Sequence, residues 1–411
     1  MPKSLTKAIT TPFTASLGGI SLFGADRTIA KLELDRRPIL SLRPRIDEFA
    51  RQNPFVGAKV GPAHQTDMGT WVQEFQNATA YGGPSALASE IHEVHGAIRD
   101  RYKSFGGPDG FLGLPLTNES PCLDGQGKYN HFERGSIFWH PTTGAREIHG
   151  EIRNHWESLG WERGWLGYPI SDELSLEDVN AGRISVFQNG AIYWWPECGA
   201  RSINDVCLQY TGFVCFGETD ADEGSDEDEP YATFGIMGPD NIRGMVQTKV
   251  YQNVHNRTGQ VDFIELYRGK PRGLAIHSIL QEHSGNDDQL EKTRGATKEL
   301  VDKAGPLIQK FAMSVPVIGP VLGPLSGVAW DILKKDIVDA LNSFVEHTLG
   351  FGDRPLGTDF ITLTPQQLVL LATRPQGHAL TEIAGVPWRF ETQLLSRYGA
   401  SYKLYFNIFP V

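Results

Sequence analysis

Apolar residues recur along this chain with two different periods, and the switch between them is itself repeated. Ile98, Tyr102 and Phe105 stand at i, i+4 and i+7, and so do Ile152, Trp156 and Leu159. That spacing places three apolar side chains on one face of a short helix. Gly106 and Gly160 follow where a left-handed residue ends such a helix, a conformation glycine reaches without a Cβ penalty. A Leu-Gly-x-Pro turn comes next, at 112–115 and 166–169, with glycine supplying permissive dihedrals and proline fixing φ. The period then drops to two. "SIFWH" (136–140) and "AIYWW" (191–195) are rich in β-branched and aromatic residues, as strands are. Each unit therefore predicts a helix, a tight turn and a β-hairpin.

The units are copies of one another. "VHGAIRDRYKSFGGPDGFLGLP" (94–115) aligns without a gap on "IHGEIRNHWESLGWERGWLGYP" (148–169), and "FERGSIFWHPTTGA" (132–145) aligns on "FQNGAIYWWPECGA" (187–200) after one inserted residue. A weaker copy lies upstream. "FQNATAYG" (75–82) and "EIHEVHG" (90–96) mimic later segments, and Phe49, Gly57 and Pro62 anticipate Tyr102, Gly110 and Pro115. This copy lacks the Leu-Gly pair and the equivalent Trp, as a degenerate or capping unit would. The predicted organisation is an N-terminal segment (1–39), three units (about 40–93, 94–147 and 148–205) and a second domain (206–411). Three units that cannot each bury an apolar face alone also make closure about a pseudo-threefold axis plausible.

The pattern resembles the LGFP repeat family: a Trp, a Gly-rich turn, Leu-Gly-Phe/Tyr-Pro, then Phe-x-x-Gly-x-Ile-Tyr-Trp and Gly-Ala. Copies two and three carry it nearly whole, with Leu114 or Tyr168 in the aromatic slot. The resemblance implies a cell-wall or cell-surface polysaccharide as partner, and a non-catalytic, lectin-like role.

Sugar binding needs flat aromatic faces for the apolar side of a pyranose and planar polar groups for its hydroxyls. Seven of the nine tryptophans (Trp71, Trp139, Trp156, Trp161, Trp165, Trp194 and Trp195) lie in this half. Trp139, Trp156 and Trp194 recur at equivalent or near-equivalent positions and read as core. The ligand candidates are the aromatics that differ between copies: Trp161 for Gly107, Trp165 for Phe111, and Trp195 for His140. Their polar companions would be Glu162, Arg163, Glu197, Asp109, Arg134 and His140.

Beyond Val206 the repeat signature stops. Strand-like runs such as "VCLQYTGFVCFG", "PYATFGIM", "QVDFIELYRG" and "YKLYFNIF" predict an antiparallel β-sandwich, making the chain α+β and mainly β overall. Eight acids crowd Glu218–Glu229. Asp220, Asp222, Asp226 and Asp228 alternate there in a spacing that suits oxygen coordination of Ca²⁺, to which Asp287 and Asp288, and further off Asp353 and Asp359, could add ligands. The arrangement loosely resembles calcium-binding loops of lipid-binding β-sandwiches; the competing reading is a solvated acidic surface. A helical insertion at about 289–349 includes a charge-free stretch, 311–330, long enough to span a bilayer but interrupted by Pro316, Pro320 and Pro324. It reads as a bent apolar hairpin packed on the sandwich, with a glycan-targeted membrane-active toxin as the alternative.

Charge and cysteine content narrow the function. A net charge of −11 gives nucleic-acid binding no electrostatic support. Cys122, Cys198, Cys207 and Cys215 show no metal-ligand spacing and read as reduced thiols, with a Cys207–Cys215 bridge left open. The N-terminus does not read as a signal peptide, so a cytoplasmic protein or one exported without such a peptide is expected. Nucleophile-elbow, phosphate-loop and zinc-helix signatures are absent, which leaves a hydrolase site in the second domain as a minority reading.

Overall fold

A computed structural model of the chain describes residues 42–83, 91–176, 182–219, 228–238, 243–283, 290–299, 301–302, 354–374 and 381–411. The segment 1–39 and the charge-free stretch 311–330 lie outside the described residues. The chain divides into two compact units: residues up to Glu119 with Asn130–Glu133, and Ser120–Tyr129 with Arg134–Val411.

Every sequence period opens on a helix: α1 (Leu42–Gln52), α2 (Gly96–Ser104) and α3 (Gly150–Ser158). Behind α2 and α3, Gly106 and Gly160 adopt φ of +90° and +92°, where a side chain would be strained. A single 3-10 turn follows each helix, at Pro54–Val56, Gly107–Asp109 and Trp161–Arg163. Then come four strands, where the apolar runs had suggested two. They are β1–β4 (His64–Gln65, Trp71–Glu74, Ala78–Gly82, His92–His95), β5–β8 (Ser120–Pro121, Lys128–Phe132, Gly135–His140, Gly144–His149) and β9–β12 (Leu174–Ser175, Arg183–Phe187, Gly190–Trp195, Gly199–Ile203). β1–β4 and β9–β12 form antiparallel sheets in chain order, and β5 pairs β6 as β7 pairs β8. The fourth strand of the first two periods holds Glu, His and Arg in place of an apolar run, so periodicity alone does not reveal it.

Helices wedge between successive sheets. Ile152 and Trp156 of α3 share one core with Phe138 and Ile148 of the second period and with Phe187, Ile192 and Ala200 of the third. Trp156 is fully buried, edge-on to Phe138 at 4.7 Å between ring centroids. In the other unit Tyr102 of α2 plays the same part, stacking on Phe132 at 4.5 Å while its hydroxyl donates to the Gly113 carbonyl at 2.7 Å.

The second half supplies two larger antiparallel sheets. One has the order β16-β13-β23-β21, with β22 also on β23; the other is β15-β14-β17-β18. Their strands are β13 (Val206–Gly217), β14 (Pro230–Met237), β15 (Arg243–Gln247), β16 (Gly259–Gly269), β17 (Leu274–Glu282), β18 (Arg354–Leu363), β21 (Phe390–Glu391), β22 (Leu395–Arg397) and β23 (Ala400–Pro410). Tyr210, Phe213, Phe234, Ile276 and Phe406 meet in a shared core, which extends into the third period through Ile184, Tyr193, Trp195 and Ile203. The hairpin of β19 (Thr381–Ile383) and β20 (Val386–Trp388) packs Val386 and Trp388 against Val214 and Tyr405. Residues 290–299 and 301–302 are helical and form α4. Helix α5 (Pro365–Thr373) starts at a reciprocal Thr364–Gln367 cap and buries Leu368, Val369 and Ala372. All four cysteines are free thiols. Cys207 and Cys215 lie on the one extended strand β13, roughly 27 Å apart at 3.3–3.4 Å per residue, which rules out the bridge.

Candidate functional site

The turn after α3 shows what each letter of Leu-Gly-Tyr-Pro does. Leu166 enters the core. Gly167 has φ +71°, and a Cβ there would come within 2.4 Å of Gln188 Oε1, the same oxygen that accepts the Tyr168 amide at 2.9 Å. Tyr168 points back into the second period: its ring lies 4.4 Å from His140, and its hydroxyl donates to Asp124 at 2.7 Å. Pro169 opens a bridge to Phe187. The motif is therefore an inter-period knob on a fixed turn.

Trp165, one residue before this motif, behaves differently. Its side chain is 46% exposed. Its carbonyl accepts the Asn189 side-chain amide at 3.0 Å, and its ring lies so close over Gly190 that a Cβ there would meet Cζ3 at 2.9 Å. A glycine beneath the ring and a hydrogen bond to the backbone hold an aromatic face in water. Phe111, at the same place in the second period and in the other unit, is 42% exposed and sits edge-on to Phe105 at 5.2 Å. Arg134 and Arg163 are also exposed.

Of the remaining expected ligand residues, Trp195, His140 and Glu162 are buried and Trp161 is half-buried. Trp195, expected as a solvent-facing platform, is fully buried and stacks parallel to Tyr193 at 5.7 Å, because this end of the third sheet joins the core of the second half. The adjacent Trp194, expected in the core, is the one left partly exposed. Trp139 is likewise partly exposed while its neighbour His140 is buried. The Thr142 amide donates to His140 Nδ1 at 3.2 Å. Glu162 is buried and accepts the Leu123 amide at 2.9 Å, which ties the third period to the second. Trp161 is half-buried. Its ring stacks on Phe138 at 5.5 Å and carries the Arg153 guanidinium at 5.0 Å. It holds φ +57° where Gly107 of the second period has +60°, so the backbone of this turn is the same and the tryptophan bears the strain. Glu197 and Asp109 keep exposed or half-exposed positions, and Asp109 accepts the Thr66 hydroxyl at 2.8 Å.

The acidic candidates separate in the same way. Asp220, Asp222, Asp226, Asp287, Asp288 and Asp353 lie outside the described residues. Asp228 is buried and already occupied: it accepts the Thr219 hydroxyl at 2.8 Å, the Thr219 amide at 3.2 Å, and the Tyr402 hydroxyl. Asp359 accepts the amides of Phe360 and Gln393. Among the described residues no group of three or more His, Cys, Asp or Glu is placed to hold a metal ion, and no helix is long and apolar enough to cross a membrane.

One constellation escaped the sequence reading. His95 and His149 occupy the N-cap positions of α2 and α3. His149 donates from Nδ1 to Glu147 at 2.9 Å and faces Glu173 with Nε2 at 3.4 Å; the other Glu147 oxygen accepts the Glu173 amide at 2.9 Å. His95 repeats this with Glu93 at 2.7 Å and Glu119 at 3.0 Å, and Glu93 takes the Glu119 amide at 3.1 Å. Hydrogen bonds to Glu119 and then Glu93 raise the His95 pKa to about 10, and the Glu147 bond raises that of His149. With a carboxylate on each nitrogen the imidazolium joins strand, helix and following turn, and neither nitrogen is left for proton transfer. The signal was present as Glu-x-His-Gly at 93–96 and 147–150, with Asn-Glu or Asp-Glu ending 26 residues after the first Glu.

Comparison with known proteins bears on the repeats alone. The LGFP repeat profile matches residues 57–110, 112–164 and 166–209, so Phe111 and Trp165 are the single residues between successive matches. No curated protein matches the chain. Two solved structures, both of an extracellular domain assigned to a two component or one component system of B. thetaiotaomicron, are 9% identical. They cover 55% and 54% of this chain with a TM-score of 0.11 each, and the chain spans about a third of their length, 35% and 33%. Residues 57–209 are three LGFP repeats in tandem.

Proposed function

We propose that this is a non-catalytic carbohydrate-binding protein that recognises cell-wall or cell-surface glycan through its LGFP repeats, a family often associated with cell walls. The observation that carries the reading is the pair Phe111 and Trp165: large exposed aromatic rings at one position of two successive repeats, just before the Leu-Gly-x-Pro turn that both copies share. An exposed aromatic ring offers a flat apolar surface, and a pyranose has a flat apolar face of matching area to stack on it. Arg163 beside Trp165 supplies a planar donor for ring hydroxyls or an acidic sugar.

The test is retention on insoluble peptidoglycan, arabinogalactan and chitin, with a glycan array to define the sugar. Trp165→Ala and Phe111→Ala should each weaken binding about tenfold, the loss of one stacking contact of roughly 1.4 kcal/mol. Full retention by the double variant, or no glycan bound by the intact chain, would remove the proposal.

A further inference from the structure

The outer face of the β15-β14-β17-β18 sheet buries polar groups under a helix. Strand alternation sends Ala232, Phe234, Ile236 and Ile276 into the core. Tyr231, Thr233, Gly235, His277 and Gln281 consequently face the other way, and all of them are buried. Helix α4 covers this face with Thr293, Ala296, Thr297 and Val301, while its charged residues Glu291, Lys292, Arg294, Lys298, Glu299 and Asp302 are exposed. Among the described residues of α4 the buried ones are two threonines, an alanine and a valine, with Leu290 half-buried. Three long polar contacts join the helix to the sheet: Tyr231 to Thr293 at 3.2 Å, the Gln247 amide to the Leu290 carbonyl at 3.4 Å, and Arg243 to the Asp302 carbonyl at 3.4 Å.

His277 lies on this face beside Gly235. It is 2% exposed, pairs in register with Gly235 and Phe360, and its Nδ1 has no hydrogen-bond partner. Thr297 and Val301 sit over the adjacent Gly235. Of the charged groups on the packed elements, Arg243 is engaged with Asp302, and Asp359 of β18 accepts two backbone amides. At the far end of β17, Glu282 accepts the Glu229 amide, and His283 lies against the Tyr231 ring. Among the described residues none of these carboxylates bonds to His277.

We propose that α4 is a releasable element: protonation of the buried His277 in acid lifts it from the sheet face it covers. Burial alone lowers the His277 pKa from 6.5 to about 4. The docked state thus binds its proton less readily than the released state. Docking is at full strength above about pH 6.5, weakens as pH falls toward 4, and changes no further below that. Over that range the released fraction rises about a hundredfold.

Hydrogen exchange on the full chain between about pH 7 and pH 4, corrected for intrinsic exchange, reads this directly. Amides of 290–299 should lose protection about a hundredfold relative to those of β13. His277→Leu, which packs without titrating, should abolish the pH dependence. Gly235→Val places a Cβ 2.8 Å from Val301 Cγ2 and should release α4 already at neutral pH. Continued protection of α4 at pH 4 in the wild-type chain would overturn the proposal, as would an unchanged acid response in His277→Leu. Should His277→Leu fail to fold, His277→Phe decides on the same readout: α4 protection that no longer depends on pH supports the proposal, and an acid response like that of the wild-type chain refutes it.

Discussion

The repeats and the outer face of the β14–β17 sheet each set a histidine against a helix, half-buried in the first and fully buried in the second, and they do so in opposite ways. His149 caps a helix with a carboxylate on each nitrogen, and its pKa is raised. His277 lies under a helix with Nδ1 unpartnered, and its pKa is lowered. A buried polar group with all its bonds made fixes one geometry; the same group without partners leaves the element above it only weakly held. Repeats that must stack in register therefore rely on Glu-His-Glu clasps. The sheet face under α4 instead carries groups whose hydration favours letting the helix go.

The largest test of this contrast removes the apolar wedge that the clasps assist. Trp156→Ala should cost about 3–5 kcal/mol, since Phe138, Phe187 and Trp161 surround the ring and cannot all collapse into the space. Chemical denaturation of the full chain measures it. A loss below 1 kcal/mol would mean the third repeat holds without its helix. Trp195→Ala should fall in the same range, because its ring belongs to the core shared with the second half.

Next in size is the clasp itself. Glu147→Ala removes the His149 partner and the acceptor of the Glu173 amide, and should cost about 2–3 kcal/mol. The pH dependence has a fixed sign. Both histidines have folded pKa values above 6.5, so their contribution is complete below that pH and is lost as pH rises through the folded value, about 10 for His95. Thermal melts across this alkaline range should show a fall that His95→Gln and His149→Gln together flatten.

How far the fold could be read from sequence follows from the same physics. The period, the helical faces and the glycines after them were legible because helices α2 and α3 each bury one stripe, Ile98 with Tyr102 and Ile152 with Trp156. The strand faces were not. Strand β11 is buried on both sides, helix on one and neighbouring core on the other, so alternation vanishes, and Trp194, expected in the core, and Trp195, expected outside, exchange places. The clasp was hidden for another reason: Glu147 and Glu173 are far apart in sequence and converge only when the next turn folds back. At the candidate site the comparison of copies picked out Trp165 and Phe111. It picked out Trp195 by the same logic, because a difference between repeats marks a ligand contact and a contact with a neighbouring core alike.

On the other side of the comparison, Gln281→Leu should behave unlike Glu147→Ala. The Gln281 side-chain oxygen is buried without a partner, so an apolar residue of similar volume should be neutral or stabilising by up to about 1 kcal/mol. A loss of 2 kcal/mol or more would show that Gln281 is satisfied in solution, and the contrast between the two regions would collapse at that point.

The smallest expected change in stability is the most informative about function. Trp165→Ala removes a ring that is 46% exposed and rests on a glycine, so stability should move by less than about 0.5 kcal/mol. Trp195→Ala, thirty residues along the same repeat, removes the same side chain from the core. If glycan retention falls with Trp165→Ala while the melting temperature holds, the exposed ring is a contact surface and the buried one a joint between domains. If both properties move together, the ring of Trp165 is bracing the turn against Gly190, and the sugar must be sought elsewhere on the repeats.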